Sequence, residues 1–591
     1  MVKLSDSIAD FLKTAGIEVV FGIIGSANSH IFDSIQKLGF TKIVCMHHEQ
    51  ACVMAMGAYY RTCGKLSAAL VTAGGGATNS VTGIVSNWAD SIPGFIFSGQ
   101  ESVAFCHKYE KLRMYGTQGL DIIDMTKKVV KYGKRLDDIN EFQDVMLEAY
   151  TQTVSGRPGP VIIDFPIDIQ SKKIEKINWE LPIFHTQNQL DVSETVKLLS
   201  QSSRPIVICG NGVRLSSSQN DFKTFVEKQS IPFTLTWSAI DVIDSNHPLN
   251  FGRFGIYGQR DANFIIQNAD LIIVLGSRLA LTQVGYDFST FARKAKLIFV
   301  DLDETEFLKY NDRIDLKYVN SCKDYLCNLN KYDKVSNFED WISYCNDLKH
   351  RYCFKEINDD NYVNSYSFID KLSDKLSDNH IIVTDMGTAL LSGHQNIKLK
   401  KNQKMFTSLG LGEMGYGIPG AIGAAFASNS PVLCLNCDGG IMMNLQEAHT
   451  VIDNDLNLKI VIFNNDGYLM IKHTQKMLFN GKFVSVNRNT GVGLPNFELL
   501  MKAFGYEYYK LYHMQDFDET IDAFLNNPKQ SVLEVFMHPE QDFLPKVKGV
   551  ALEDNTIFAP PIEEMSPLLS FSEIEENMIS GVNEKSRLIL R

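Results

Sequence analysis

Two short apolar runs in the last third of the chain constrain its fold more than any other feature. Pro431-Val-Leu-Cys-Leu-Asn-Cys437 ends at Asp438-Gly439-Gly440, and Leu458-Lys-Ile-Val-Ile-Phe463 ends at Asn464-Asn465-Asp466-Gly467. Runs this short and this apolar are the pattern of strands buried on both faces of a parallel sheet. Such sheets bind ligands outside the carboxyl ends of their strands. Here both ends present hard oxygen ligands, Asp438 and Asn465, 27 positions apart. Gly439 and Gly440 let the backbone approach a phosphate closely, and a helix expected over residues 442–451 would add its N-terminal amides. Either turn alone is ordinary turn chemistry. Together, at successive strand ends, they suit Mg²⁺ shared with phosphate oxygens and water.

The pair resembles the diphosphate-binding motif of thiamine diphosphate (ThDP) enzymes, Gly-Asp-Gly followed by Asn-Asn, with Cys437 standing for the first glycine. The resemblance implies that Asp438, Asn465 and the Gly467 backbone hold Mg²⁺, with Gly439 and Gly440 against the diphosphate. Upstream, Leu409-Gly-Leu-Gly-Glu-Met414-Gly-Tyr-Gly-Ile-Pro419 has a glycine density that by itself means only close backbone packing. In the resemblance, Met414 is the bulky residue that bends the cofactor, a proximity effect. The carbonyl of Gly412 accepts from its aminopyrimidine.

The first part of the chain alternates strand and helix patterns, and one strand delivers His47-His48-Glu49-Gln50-Ala51 at its end. A glutamate at a helix start can be there for the dipole alone. His48-Glu49-Gln50-Ala51, however, resembles the His-Glu-Gln-Ala segment of acetohydroxyacid (acetolactate) synthase-like ThDP enzymes. In those enzymes the glutamate bonds the aminopyrimidine and exchanges its proton. A strand-end glutamate among apolar neighbours is expected to be desolvated, as that acid/base work requires. Gly74-Gly75-Gly76-Ala77-Thr78-Asn79 matches the family's Gly-Pro-Gly-Ala-Thr-Asn, with Gly75 for proline. Gln118 falls at the family's active-site glutamine, and Gly156-Arg-Pro-Gly-Pro160-Val-Ile-Ile-Asp164 closes the segment.

The resemblance runs in the same order through nearly the whole chain. It implies an α/β protein of three doubly wound parallel-sheet domains: pyrimidine-binding over residues 1–170, central and Rossmann-like over 192–332, and diphosphate/Mg-binding over 365–545. Residues 546–591 form a tail, read as an extended strap. Residues 171–191 read as linker, and 332–364 as helical in part and mostly linker. In the central domain, Pro205-Ile-Val-Ile-Cys-Gly-Asn-Gly212 and Ala269-Asp-Leu-Ile-Ile-Val-Leu-Gly276 are strands running into glycine turns, without the full dinucleotide fingerprint. Relatives carry FAD there in a structural role. Their Arg-Phe-Asp-Asp-Arg run is Arg278-Leu-Ala-Leu-Thr282 here, which leaves FAD open.

A net charge of −12 without a basic block argues against nucleic acid or an anionic membrane surface as partner. No apolar run approaches a transmembrane helix. The start lacks a signal-peptide hydrophobic region, and eleven scattered cysteines read as reduced, cytoplasmic thiols. Cys434-Leu-Asn-Cys437 lies on a buried strand and reads as core packing.

The family's common reaction decarboxylates a 2-keto acid, usually pyruvate, and passes the two-carbon unit to a ketone or aldehyde. Gly467-Tyr-Leu-Met470 and Gln475 agree with the synthase pattern, with Met470 beside the cofactor. The tryptophan that shapes the acceptor pocket is Thr474 here. With Gln475 and Gly75 that pocket would be larger and more polar, which favours a bulkier acceptor such as a nucleotide-linked keto-sugar. Acetolactate synthase proper and a simple 2-keto acid decarboxylase are the alternatives. The resemblance also implies a homodimer or homotetramer with active sites between subunits.

Overall fold

The structure is a computed structural model that describes residues 1–106, 112–184, 189–357, 359–552 and 556–591. It contains three parallel sheets, as the alternation of apolar strands with amphipathic helices predicts. The first has β1 (Val19–Gly22), β2 (Lys42–Cys45), β3 (Ala68–Val71), β4 (Gly94–Gln100), β5 (Tyr132–Arg135) and β6 (Pro160–Pro166), in the spatial order β2-β1-β3-β4-β6-β5. The second has β7 (Pro205–Cys209), β8 (Phe233–Leu235), β9 (Leu271–Leu275), β10 (Lys296–Asp301) and β11 (Leu316–Val319), ordered β8-β7-β9-β10-β11. The third has β12 (Ile381–Thr384), β13 (Lys404–Phe406), β14 (Val432–Cys437), β15 (Leu458–Asn464), β16 (Glu507–Leu511) and β17 (Ser531–Phe536), ordered β13-β12-β14-β15-β17-β16. The first and third sheets therefore share one topology. In both, the third and fourth strands of the domain are central, and in the third domain these strands, β14 and β15, lead into Asp438 and Asn465 at their carboxyl ends.

Helices α1 (Glu49–Cys63), α2 (Gly75–Asn79), α3 (Val81–Ala89), α4 (Thr388–Asn396), α5 (Gly417–Ala427), α6 (Glu447–Asp453) and α7 (Leu469–Phe479) position the site. The run Ala51-Cys-Val-Met-Ala-Met-Gly-Ala58 is buried throughout because α1 packs on α5 across the junction of the first and third domains. Contact is close enough that a Cβ on Gly423 would lie 2.2 Å from the Ala55 carbonyl oxygen. One apolar core thus runs through both domains. A polar clasp adds to it. Asp90 accepts from the backbone N–H of Leu409 and Gly410 and pairs with buried Arg61, whose guanidinium also donates to the Thr407 carbonyl.

Two expectations are corrected, and one is made specific. The helix expected over 442–451 begins only at Glu447. Residues Ile441–Met443 form a 3₁₀ turn that ends at Asn444, whose backbone is non-helical at φ −139° and whose side-chain amide donates to the Gly415 carbonyl at 2.8 Å. The 332–364 segment contains the helical part expected of it. Glu339–Arg351 is a helix that buries Trp341, Cys345 and Leu348 in the central core, with the indole N–H on the Pro205 carbonyl. Residue 358 of that segment, and 185–188 of the other expected linker, lie outside the described residues. The tail is more than an extended strap. Ile562, Met565, Ile574 and Met578 join the central core, and Phe571–Asn577 is helical. Asn263 and Asn268 donate to the Ile562 and Asn577 carbonyls, binding the tail to the central helix Arg260–Asn268.

Candidate active site

The carboxyl ends of β14 and β15 build one half of the site. Asp438 is fully buried; one carboxylate oxygen accepts from the N–H of Asn465 at 2.9 Å and Gly467 at 3.0 Å, and the other from Gly439 at 2.7 Å. Burial pushes its pKa up to about 7, against the pull of those three amides. Asn465 is also buried. Its Nδ2 donates to Thr388 Oγ1 at 3.3 Å, while its Oδ1 is buried with no hydrogen-bond partner among the described residues. A buried carbonyl oxygen without a donor is costly unless something outside the protein satisfies it. Beside the Asp438 carboxylate and backbone oxygens it forms an all-oxygen donor set that fits a hard divalent cation such as Mg²⁺.

The surrounding glycines are required by close packing within the protein. A Cβ on Gly439 would meet the Tyr468 ring at 2.4 Å, and one on Gly440 would meet the Asp385 carboxylate at 2.5 Å. Gly467 has φ +115°, and a Cβ there would lie 2.0 Å from the Val486 carbonyl oxygen. Cys437 occupies its place without disturbing the turn. Its Sγ accepts from the Ala389 N–H at 3.4 Å and donates to the Met386 carbonyl at 3.2 Å, tying the strand end to the start of α4.

Several contributors were not legible in the sequence. Lys472 is buried, and its ammonium bonds the carbonyls of Asn465, Asp466 and Pro539 at 3.0 Å each, fixing the turn that carries Asn465. Asp385, raised to about 7 by burial, accepts from the N–H of Met386, Gly415 and Tyr416 and so holds the glycine-rich segment at the strand ends. On that segment Gly412 has φ +77° and is exposed, and Met414 is half-buried. Only a charged residue at a strand end or an i+7 spacing hinted at these roles, and both are common elsewhere.

The first domain builds the second half. Glu49 opens α1, capped by His48, and is only 8% exposed. The Asn79 amide donates to its carboxylate at 3.0 Å, and a Cβ on Gly76 would lie 3.1 Å from the other oxygen. Gln118 lies over the neighbouring glycine turn, where a Cβ on Gly74 would meet its side chain at 2.9 Å. The Gln118 N–H donates to Glu101 at 2.5 Å, and the Gln100 amide binds both the Leu120 carbonyl and buried Asp164. Gly75 is exposed, and a Cβ on it would meet only open space. Glu49, Gly75 and Gln118 are thus brought together, as are Asp438, Gly439, Gly440, Asn465 and Gly467. The side-chain partners of Glu49 come from the first domain and those of Asp438 from the third.

The expected acceptor-pocket residues on α7 differ in role. Thr474 is exposed, and its hydroxyl bonds back to the Met470 carbonyl at 3.2 Å; Met470 itself is half-buried. The Gln475 amide is engaged on both sides by the Val484 backbone, at 2.8 and 2.9 Å, and so anchors the following segment.

A separate cavity of about 1110 Å³ opens at the carboxyl ends of the central sheet. Asn211, Gly212, Ser277, Arg278 and Asp301 line it, with Arg157 from the first domain and Met386 from the third. A Cβ on Gly210 would lie 2.2 Å from the Gly276 carbonyl oxygen, so the turns after β7 and β9 approach one another closely.

Comparison with known proteins finds three matching segments in the chain. Residues 2–125 match the N-terminal TPP binding domain of thiamine pyrophosphate enzymes, 192–329 their central domain, and 385–535 their C-terminal TPP binding domain. The chain is 30% identical over 556 residues to the acetolactate synthase isozyme 1 large subunit of Escherichia coli K12, covering 92% of this chain and 95% of that protein. It is 28% identical to the isozyme 2 large subunit of the same organism (91% and 96% covered) and 29% identical to the acetolactate synthase large subunit of Lactococcus lactis (94% and 96%).

Proposed function

Because the chain belongs to the acetolactate synthase-like thiamine pyrophosphate enzymes, we propose that it decarboxylates pyruvate and joins the two-carbon unit to a second pyruvate, giving acetolactate. The observation that carries this reading is the unsatisfied, buried Asn465 Oδ1 beside the buried Asp438 carboxylate, across the family's two strand ends. Asp438, Asn465 and the Gly467 backbone would hold Mg²⁺, and Gly439 and Gly440 would admit the diphosphate. When bound, ThDP supplies the electron sink for the charge left by decarboxylation. Glu49, oriented by Asn79, would hold and return the proton of the aminopyrimidine, and the Gly412 carbonyl would accept from its amine. Met414 would lie beneath the cofactor, with Met470 beside it. Gln118 would line the pocket over the reacting carbonyl.

Under the same reading the enzyme is a homodimer or homotetramer. Glu49 of one subunit then completes the site around Asp438 of another, which agrees with exposed Leu411, Met442, Met443 and Met477 near the third-domain half. FAD would occupy the central cavity, with the glycine turns against its phosphates. Flavin absorbance in the purified protein tests that point.

A second reading keeps pyruvate as donor and takes a larger acceptor, including a nucleotide-linked keto-sugar. It rests on Thr474, exposed where the relatives' indole would narrow the pocket. Product analysis with ThDP, Mg²⁺ and pyruvate, with and without added ketones, decides between them. Acetolactate formed from pyruvate alone supports the synthase. Carbon dioxide release that needs an added ketone, giving an adduct two carbons heavier, supports the second reading. Acetaldehyde as sole product refutes both.

A further inference from the structure

The turn that delivers Glu49 meets α6 across the junction of the first and third domains. There the ligand atoms of His47, His449 and Asp453 all lie within 4.8 Å of one another. His449 Nδ1 and Asp453 Oδ2, one helical turn apart, are already 3.0 Å apart. Ligands on a tetrahedral ion about 2.0–2.1 Å away are roughly 3.3–3.4 Å apart, so small rotations would bring all three into one coordination shell. Two imidazoles and a carboxylate form a set suited to divalent first-row transition ions, whereas Mg²⁺ prefers oxygen alone.

His47 and His449 are also held in place from outside the cluster. Glu447, on the same helix as His449, accepts the His47 backbone N–H at 3.0 Å and the Thr450 hydroxyl at 2.8 Å. It therefore fixes the first-domain strand end against the helix that supplies the other two ligands. Phe504 packs edge-on against the His449 ring at 5.9 Å, and the His47 and His449 rings stand 6.0 Å apart, nearly perpendicular. These contacts limit how far the His47 strand end and the His449 ring can move. The cluster is open to solvent, leaving room for water as a further ligand.

We propose that His47, His449 and Asp453 bind a divalent transition ion, Zn²⁺ or a close chemical relative, that clamps the first domain to the third two residues from Glu49. The site is separate from the Asp438–Asn465 donor set, uses different ligand chemistry and does not depend on the acceptor. Clamping would restrain the His47-His48-Glu49 turn and so steady the carboxylate that works on the cofactor.

The test loads full-length protein with ThDP and Mg²⁺ and dialyses it against Zn²⁺ with metal analysis. Co²⁺ serves in parallel as a spectroscopic probe. The expected result is one Zn²⁺ per chain and visible Co²⁺ bands of nitrogen/oxygen ligation. Both should weaken at least tenfold in His449→Gln and in His47→Gln. His449→Gln should leave turnover unchanged when no transition metal is present, which also reports that the variant is folded. Wild-type protein without stoichiometric Zn²⁺ would overturn the proposal. So would undiminished binding in both variants, or Co²⁺ bands of sulfur ligation, which would assign the metal to cysteine.

Discussion

Asp438 holds the β15 turn through the Asn465 and Gly467 amides, and under the proposed function the same carboxylate would also offer oxygen to a cation. Asp438→Asn exchanges an acceptor for a donor facing those amides. It should weaken Mg²⁺-dependent ThDP binding at least tenfold and cost about 1–3 kcal/mol of stability; cofactor titration and denaturant unfolding measure the two effects. Glu49→Gln should keep cofactor affinity and lose about 10²–10⁴ of turnover, since only the proton exchange is removed. Asp164 provides a pH prediction. Burial raises its pKa to about 7 from an unfolded value near 4, so the native state binds the extra proton between those limits. Its contribution to stability is therefore greatest below about pH 4, declines as pH rises through 7, and is level above. Asp164→Asn should flatten that part of the stability–pH curve. Asp438, Asn465 and Glu49 were legible because strand ends and helix starts display them in the sequence. Lys472, Asp385 and Asn79 were not, because their roles come from contacts that only folding creates.

At the scale of elements, the strand–turn–helix units were legible because apolar runs and glycine turns mark them. The start of α6 was not. Residues 442–451 have helical composition, but the backbone leaves the helical region at Asn444, whose side chain reaches the Gly415 carbonyl of a distant loop. The two glycine turns make opposite predictions. Gly467 sits at φ +115° with the Val486 carbonyl in the way, so Gly467→Ala should cost about 1–3 kcal/mol or more and displace the Asn465 turn. Gly75 is the first residue of α2, preceded by Gly74 at φ +62°, with nothing near its Cβ position. Gly75→Pro should fold normally and gain about 0.4–1 kcal/mol by restricting the unfolded chain. Thermal unfolding of the two variants side by side checks both signs.

At the scale of the molecule, the shared topology of the first and third sheets means that each contributes one set of strand ends to a binding crevice. The α1–α5 core and the Asp90–Arg61 clasp fix those two domains to each other within one chain. This relation was invisible in the sequence, where Arg61, Asp90 and Thr407 carry no motif. The side-chain partners of Glu49 and Asp438 nevertheless stay within their own domains, so the proposed site between subunits makes a prediction that a single-chain site does not. Glu49→Gln and Asp438→Asn proteins are each expected to be inactive. Mixed, dissociated and reassociated at random, half the dimers are mixed, and each mixed dimer has one site carrying both changes and one carrying neither. Activity should then return to roughly a quarter of wild type by the symmetry of a two-fold assembly. A site formed within one chain gives no recovery at any mixing ratio, because every site then carries one of the two changes. Recovery would assign Glu49 and Asp438 to different subunits, and its absence would place the whole reaction inside one chain.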